Sequence, residues 1–215
     1  MDELALRGFE SEFAAHLASR APSDSAHDLQ HIKRVVNTAR ELACQSGALL
    51  EVVVPAAWLH DYVALTKDHP QRSDSSRLAA EGACEYLQNI HYPAQYLDQI
   101  YHAILAHSFS AQVAAQTLEA KIVQDADRLD ALGAIGIARC LQVGSSLGRA
   151  LYCADDPFCR ERQPDDSRFT LDHFYQKLLH LPETMQTQAG KEAAHRRRAV
   201  MMTFIEQLAI EIGEA

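Results

Sequence analysis

The chain has 215 residues, of which 47% are hydrophobic and 23% are charged, as in ordinary globular proteins. Its 20 Lys and Arg residues against 29 Asp and Glu residues give a formal net charge of −9. This acidic balance argues against a protein that coats nucleic acid, because such proteins usually carry a basic stripe. It leaves open a small anionic substrate, since a metal ion or a local basic cluster can make the field of one site positive.

The cysteine pattern and the apolar runs indicate the cellular location of the protein. The five cysteines are odd in number and form no Cys-x-x-Cys pair, so no disulfide framework is predicted. No apolar run approaches the roughly 18 residues of a membrane span. The first residues, MDELALRGFESEF, lack a basic-then-apolar signal pattern. We therefore expect reduced thiols, no membrane contact and a cytoplasmic location.

The hydrophobic periodicity is helical along almost the whole chain. An apolar stripe predicts a first helix over about 2–19, and a second helix runs from about Ser25 to Gln45, before Gly47. A third helix begins near Pro55, a residue that suits a first turn. EVVV, residues 51–54, is the one strand-like stretch. Further helices are predicted at about 77–90, 94–107, 118–142, 171–180 and 189–213.

Two segments are predicted to be loops. Residues 67–76 are polar and include Pro70, and residues 144–169 contain two glycines and two prolines without a sustained period. No internal repeat or domain boundary is evident. We therefore predict an all-α, single-domain helical bundle over residues 1–215, with a core at about 20–140 and a C-terminal helical extension at about 170–213 packed on it.

Histidine and aspartate residues interrupt the apolar helices at three places. The vicinal pair His60 and Asp61 lies in an apolar run, where ionisable groups are costly unless they are paired or bound to a metal. His31 lies on the apolar face of the second helix, and His27, one turn earlier, is a rival on the same face. The third place carries three aspartates, and the helical wheel alone does not choose among Asp125, Asp127 and Asp130.

The order of these residues resembles the H…HD…D pattern of the HD-domain metal-dependent phosphohydrolases. In that family the first histidine lies in a His-x-x-Arg-Val-like context, matched by HIKRV at 31–35. The last aspartate lies in an Ala-Asp-x-Leu context, matched by ADRL at 126–129. The resemblance therefore favours His31 as the first ligand and Asp127 as the last.

The resemblance extends over roughly residues 20–210 and to a narrower group of small bacterial HD hydrolases. The segments that carry it are HDLQHIKRV, LHD, AHSFS, IVQDADRLDALGAIGIAR, GRALY and HFYQKLL. It implies an HD-type helical bundle in which one divalent ion (Mn, Fe, Ni, Co, Zn or Mg) is held by His31, His60, Asp61 and Asp127.

The same resemblance implies a hydrolase that acts on nucleotides through a metal-activated water. The activity associated with the narrower group converts a nucleoside triphosphate to a monophosphate and pyrophosphate. Two alternatives stay open, a nucleoside 5′-monophosphate phosphatase and a non-catalytic HD protein that senses a metal or a nucleotide. The expected partner is a small nucleotide, with no nucleic acid and no membrane, in a monomer or a homodimer.

Several residues are candidates for roles beside the metal ligands. We expect Asp61 to orient the attacking water or to accept its proton. Lys67 is the favoured phosphate contact in the polar loop, ahead of Arg72 and Arg77. His107, which opens the HSFS run, is predicted to contact the substrate or to support the ligands rather than to bind a second metal. Arg149 in GRALY is a candidate for closing over the substrate.

Overall fold

The structure, a computed structural model, describes residues 1–20, 29–63, 65, 74–108 and 111–214. Within them the chain is helical, and the one pairing of strand type is an isolated bridge between Ala150 and Phe169. The predicted all-α class is therefore confirmed. The helices are α1 (Glu3–Ser19), α2 (Leu29–Ser46), α3 (Leu50–Leu59), α4 (Ser75–Asn89), α5 (Leu97–His107), α6 (Leu118–Leu129), α7 (Gly133–Ser146), α8 (Asp172–Gln176) and α9 (Gln188–Glu211).

The chain divides into two compact units, Met1–Asp127 and Arg128–Ala215. The extent of a single domain over 1–215 stays a prediction. None of the described helices is both long enough and apolar enough to cross a membrane.

In the N-terminal unit, α3 is the central helix. It packs against α1, α2, α4 and α5, and every residue from Val52 to Leu59 is buried. Helix α2 turns its predicted apolar face inward, so that His31 lies on the same buried stripe as Val35, Ala39 and Leu42. The His60-Asp61 pair thus follows directly on the most enclosed helix of the unit.

The strand-like stretch EVVV is helical, and the predicted start of a helix near Pro55 is wrong. Helix α3 begins at Leu50, so EVVV forms its first turns and Pro55 lies inside it. Proline lacks the N–H that would bond the carbonyl four residues earlier, which is that of Glu51. The Tyr92 hydroxyl donates to this carbonyl at 2.6 Å, and so a distant side chain satisfies the group that proline leaves over.

The single helix predicted at 118–142 is also wrong, because it is interrupted between Leu129 and Gly133. Leu132 has an extended backbone, and Gly133 has a φ of +70°, in the left-handed region that glycine adopts at little cost. Asp130 lies in this break and pairs with Arg139, whose Nη1 is 2.5 Å from Oδ2.

The remaining helix boundaries agree with the prediction to within a few residues. The helix predicted at 94–107 opens with a 3-10 turn (Ala94–Tyr96), and the one at 171–180 is α8 followed by a 3-10 segment (Leu178–Thr184). The predicted start of the second helix near Ser25 lies outside the described residues. Most of the predicted loop 67–76 lies outside them as well.

In the C-terminal unit the segment predicted as a loop at 144–169 is irregular beyond α7 but closely bonded. The Asp156 carboxylate accepts the main-chain N–H groups of Arg160, Glu161 and Arg162. The guanidinium of Arg162 forms two bonds to the fully buried Asp172, one of them at 2.7 Å from Nη2 to Oδ1. These bonds tie the segment to the start of α8.

Candidate metal centre

Four side chains of the N-terminal unit converge from α2, from the turn after α3 and from α6. The Nε2 atoms of His31 and His60 lie 3.4 Å apart. Oδ2 of Asp61 lies 3.8 Å from the first and 3.4 Å from the second. Oδ1 of Asp127 lies 3.5 Å and 3.8 Å from the same two nitrogens. The imidazoles are buried, whereas the two carboxylates are partly exposed, so the cluster meets solvent on its carboxylate side.

The backbone fixes which nitrogen of His60 faces the cluster. Nδ1 lies 2.8 Å from the carbonyl oxygen of Ala57, one turn earlier in α3. A carbonyl only accepts hydrogen bonds, so Nδ1 is the donor and Nε2 of the neutral ring keeps its lone pair toward the cluster. Metal-binding histidines commonly have this arrangement, in which the second ring nitrogen is held by a hydrogen bond.

The cluster fits a divalent metal ion. Two imidazole nitrogens and two carboxylate oxygens form a mixed donor set that suits Mn, Fe, Co, Ni or Zn. Ligand atoms about 2.1 Å from one ion are separated by about 3.0 Å in cis octahedral positions and by about 3.4 Å in a tetrahedron. The donor atoms of His31, His60 and Asp127 all lie within 4.8 Å of one another, so small side-chain movements bring them onto one ion.

Opposing effects set the protonation of the pair at the end of α3. Burial lowers the pKa of His60, but the charge of Asp61, its hydrogen bond and the charge of Asp127 outweigh burial and raise this pKa to about 9. Burial raises the pKa of Asp61, but the neighbouring His60 and His107 outweigh it and hold that pKa well below its usual value. The site thus attracts a positive charge, and a metal ion competes with the proton on His60.

A further buried histidine lies on the other side of Asp61. Nε2 of His107 is 3.7 Å from Oδ1 of Asp61, whereas Oδ2 is the oxygen that approaches His31 and His60. Nδ1 of His107 donates to the Ile104 carbonyl at 2.6 Å, so this ring has the same orientation relative to its helix as His60. The two carboxylate oxygens of Asp61 therefore face different groups.

Comparison with known proteins identifies the family. A family model described as the HD domain matches residues 28–132. This span contains the four side chains of the cluster and His107. The chain is 32% identical over 192 residues to YpgQ of Bacillus subtilis strain 168, and the match covers 87% of this chain and 85% of YpgQ. The chain belongs to the HD-domain family.

Solved structures of HD proteins resemble this one over nearly their whole length. A hydrolase of the HD superfamily from Bacillus thuringiensis has a TM-score of 0.75 at 32% identity, covering 97% of this chain and 99% of that one. The crystal structure of Bacillus subtilis YpgQ in complex with ADP has a TM-score of 0.73 at 30% identity, covering 94% of this chain and 93% of that one.

The HD structure separates the three aspartates that the helical wheel left equivalent. Asp127 reaches the cluster, Asp130 pairs with Arg139, and Asp125 is fully buried. Residue context, rather than helical phase, was the signal that selected Asp127.

Only some of the predicted substrate contacts lie within the described residues, and one of these is beside the cluster. His107 lies beside Asp61. Lys67 and Arg72, like the rival ligand His27, lie outside the described residues. Arg77 is exposed and pairs with Glu81 at 2.8 Å, so its charge is already partnered.

Arg149 is half-buried and belongs to the C-terminal unit. Its role as a substrate contact stays a prediction.

An aromatic group that sequence reasoning did not single out supports the turn that carries Asp61. The ring of Tyr62 stacks with those of His16 and Tyr86, and its hydroxyl lies 3.0 Å from Nε2 of His16. A Cβ atom at Gly82 would lie 3.0 Å from this ring, so glycine there allows α4 to approach it. The partners come from α1 and α4, and no local pattern in the sequence links them.

Proposed function

We propose that this HD protein hydrolyses nucleoside triphosphates to monophosphates and pyrophosphate. Membership of the HD-hydrolase family gives the broader reaction class, metal-dependent phosphohydrolysis. The nucleotide substrate is supported by the ADP complex of YpgQ, a relative that matches most of this chain. Cleavage between the α and β phosphates is the part of the proposal that rests on the resemblance to the narrower bacterial group.

The observation that carries the proposal is that the two carboxylate oxygens of Asp61 face different groups. One carboxylate oxygen joins the buried imidazoles of His31 and His60, and the other faces His107. A carboxylate placed in this way can help to hold a metal ion and still act on a water molecule beside it. A divalent ion bound there supplies Lewis acidity toward a phosphate oxygen and lowers the pKa of an attacking water.

The chain's own groups then orient that water. A carboxylate oxygen such as Oδ1 of Asp61 accepts hydrogen bonds. In the neutral ring of His107 the Nδ1 proton is given to the Ile104 carbonyl, so Nε2 of that ring accepts as well. A water that donates to both is held with a lone pair free for attack on phosphorus. As the oxygen of this water bonds to the α phosphorus, the bond from that phosphorus to the α–β bridging oxygen breaks and pyrophosphate leaves. Asp61 takes up the proton of the water and later releases it to solvent.

The phosphate chain needs cationic donors. We propose Lys67 for this role, because it follows the HD pair by six residues in a polar segment, and Arg149 as a second contact. A cytoplasmic location belongs to the same proposal, since nucleoside triphosphates are found there.

Product identification tests this function. Purified protein is stripped of metal, supplied with Mn²⁺ and incubated separately with ribo- and deoxyribonucleoside triphosphates and with the corresponding 5′-monophosphates, and the products are resolved by ³¹P NMR. We expect monophosphate and pyrophosphate in equal amounts, and loss of both in Asp61→Ala and His60→Ala with an unchanged helical circular dichroism spectrum. Inorganic phosphate with nucleoside from monophosphates would identify a phosphomonoesterase, and nucleotide binding without turnover would identify a sensor.

A further inference from the structure

Two sequence segments that have no assigned role in the metal centre come together within the C-terminal unit. GRALY (148–152) and the residues before HFYQKLL (173–179) run side by side, because Thr170 N–H donates to the Ala150 carbonyl at 2.9 Å and Ala150 N–H donates to the Arg168 carbonyl at 3.1 Å. Gly144 allows this junction to pack closely, since a Cβ there would lie 2.1 Å from Oγ1 of Thr170. The backbone pairing brings Arg149 next to the segment that enters α8.

Three basic residues belong to this junction. His173 and Lys177 are one helical turn apart, with Lys177 N–H donating to the His173 carbonyl at 3.1 Å, so their side chains lie on one face. Burial lowers the pKa of His173, its bond with Asp166 opposes that effect, and the charges of Lys177 and Arg149 lower the pKa further. Both cations therefore lie within electrostatic range of the same imidazole.

The cations at this junction lack an anionic partner among the described residues. Nδ1 of His173 lies 2.6 Å from Oδ2 of Asp166, so that carboxylate is engaged by the imidazole. Neither Arg149 nor Lys177 forms an ion pair or a side-chain hydrogen bond with any described residue, although Arg149 is half-buried. Other arginines of the unit have such partners, for example Arg128 with the Thr184 carbonyl, Arg139 with Asp130, Arg160 with Glu214, Arg162 with Asp172 and Arg197 with the Leu129 carbonyl.

We propose that Arg149 and Lys177, beside His173, form a binding site for a phosphate or pyrophosphate group. A guanidinium offers paired N–H donors that match two phosphate oxygens, and an ammonium adds a compact positive charge. The hydrogen bond from Nδ1 of His173 to Asp166 fixes the imidazole near these cations, and the charges of Arg149 and Lys177 exceed that of the one carboxylate. The choice of a phosphate group rests on the proposed nucleotide substrate, whereas the site itself rests on the C-terminal unit alone.

Binding of inorganic pyrophosphate to the full-length, metal-stripped protein tests the site by isothermal titration calorimetry. We expect one equivalent to bind, and the double variant Arg149→Gln/Lys177→Gln to weaken binding at least tenfold. The matched control Lys191→Gln/Arg196→Gln removes two exposed cations of α9 and changes the affinity less than twofold. The proposal is overturned if the metal-free wild type binds no pyrophosphate, or if both double variants lose affinity equally.

The single variants and a second ligand complete the test. Arg149→Gln and Lys177→Gln alone should each weaken binding, so the result does not depend on one double variant folding. ADP and AMP are titrated in the same way: weaker ADP binding in the double variant indicates that the site takes the phosphates of a nucleotide. Unchanged ADP affinity with weakened pyrophosphate binding indicates a site for the free anion.

Failure of this binding site can be distinguished from failure of the proposed hydrolysis. The variant His60→Ala/Asp127→Ala should lose turnover and keep metal-free pyrophosphate binding. Binding without any turnover in the wild type refutes the proposed function alone, whereas turnover without metal-free pyrophosphate binding refutes this site alone.

Discussion

Nε2 of His107 lies 3.7 Å from Oδ1 of Asp61, on the carboxylate oxygen that does not approach His31 and His60. This relationship depends on the packing of α5 against α3, which brings the last residue of one helix to the turn after the other. It gives a buried histidine a position from which it can orient water or substrate, beside the four donor atoms that would hold a metal ion.

Removing the His107 imidazole should therefore affect turnover more than metal binding. We expect His107→Ala to keep the metal content of the wild type and to lower kcat by roughly 10- to 100-fold, the usual effect of losing a group behind the metal ligands. Metal content by mass spectrometry and steady-state kinetics measure the two effects. His195→Ala, an exposed histidine of α9, serves as the control. Loss of a second metal equivalent in His107→Ala would instead make His107 a metal ligand.

The raised pKa of His60 predicts a pH-dependent stability of the metal-free protein. The folded pKa of about 9 exceeds the unfolded value of 6.5, so the charged imidazole stabilises the fold fully below pH 6.5 and this contribution is lost as the pH rises through 9. The shift corresponds to a loss of up to about 3 kcal/mol. Urea unfolding in the presence of a chelator, from pH 6 to 9.5, measures it.

His60→Gln is the comparison for that experiment, because it removes the titrating group and keeps a polar side chain. The wild-type free energy of unfolding should fall with pH more steeply than that of His60→Gln. The comparison also cancels the Met1 ammonium, whose pKa is raised by its hydrogen bond with Glu51. Parallel pH profiles for the two proteins would show that His60 is not held as a charged group by the carboxylates.

The long irregular segment of the C-terminal unit depends on the pair between Arg162 and Asp172. Asp172 is fully buried, and Arg162→Gln would leave its charge without the guanidinium, at a cost of about 3–5 kcal/mol. Arg160→Gln breaks an exposed pair with Glu214 and should cost less than about 1 kcal/mol. Thermal and urea unfolding compare the two variants. Equal stabilities would contradict a structural role for the buried pair.

Two glycines predict opposite effects of the same substitution. A Cβ at Gly144 would lie 2.1 Å from Thr170 Oγ1, so Gly144→Ala should destabilise the protein by about 1–3 kcal/mol. Gly8 lies within α1 with no heavy atom within 4 Å of the added Cβ, and Gly8→Ala should stabilise the protein by up to about 1 kcal/mol. The melting temperatures of the two variants should move in opposite directions. A shift in the same direction would show that the junction beside Thr170 yields easily.

Local sequence patterns predict those parts of the fold that local physics determines. The 3.6-residue period places His31 on the buried face of α2, because one side of that helix must face the core. The same reasoning fails at EVVV. A helix that is buried on all sides has no polar face and therefore no 3.6-residue hydrophobic period, and its β-branched residues resemble those of a strand. It also misses the break between α6 and α7, where the left-handed backbone of Gly133, rather than a change of hydropathy, separates the two helices.

In the candidate site, too, local sequence patterns predict some features and miss others. The order of His31, His60, Asp61 and Asp127 and their local contexts are readable in the sequence, and the structure brings these side chains together. The neighbours that orient them are not readable, because they come from distant helices or from the main chain. The contact of His107 with Asp61 and the stacking of His16 on Tyr62 both depend on how helices pack.

The central claim is that this one cluster holds a divalent metal ion. Titration of the metal-stripped protein with Mn²⁺, with free Mn²⁺ counted by electron paramagnetic resonance, tests it directly. We predict one tightly bound equivalent in the wild type and its loss in both His31→Ala and Asp127→Ala, with the helical circular dichroism spectrum unchanged. Tight binding of one equivalent that persists in either variant would contradict the assignment of the metal centre.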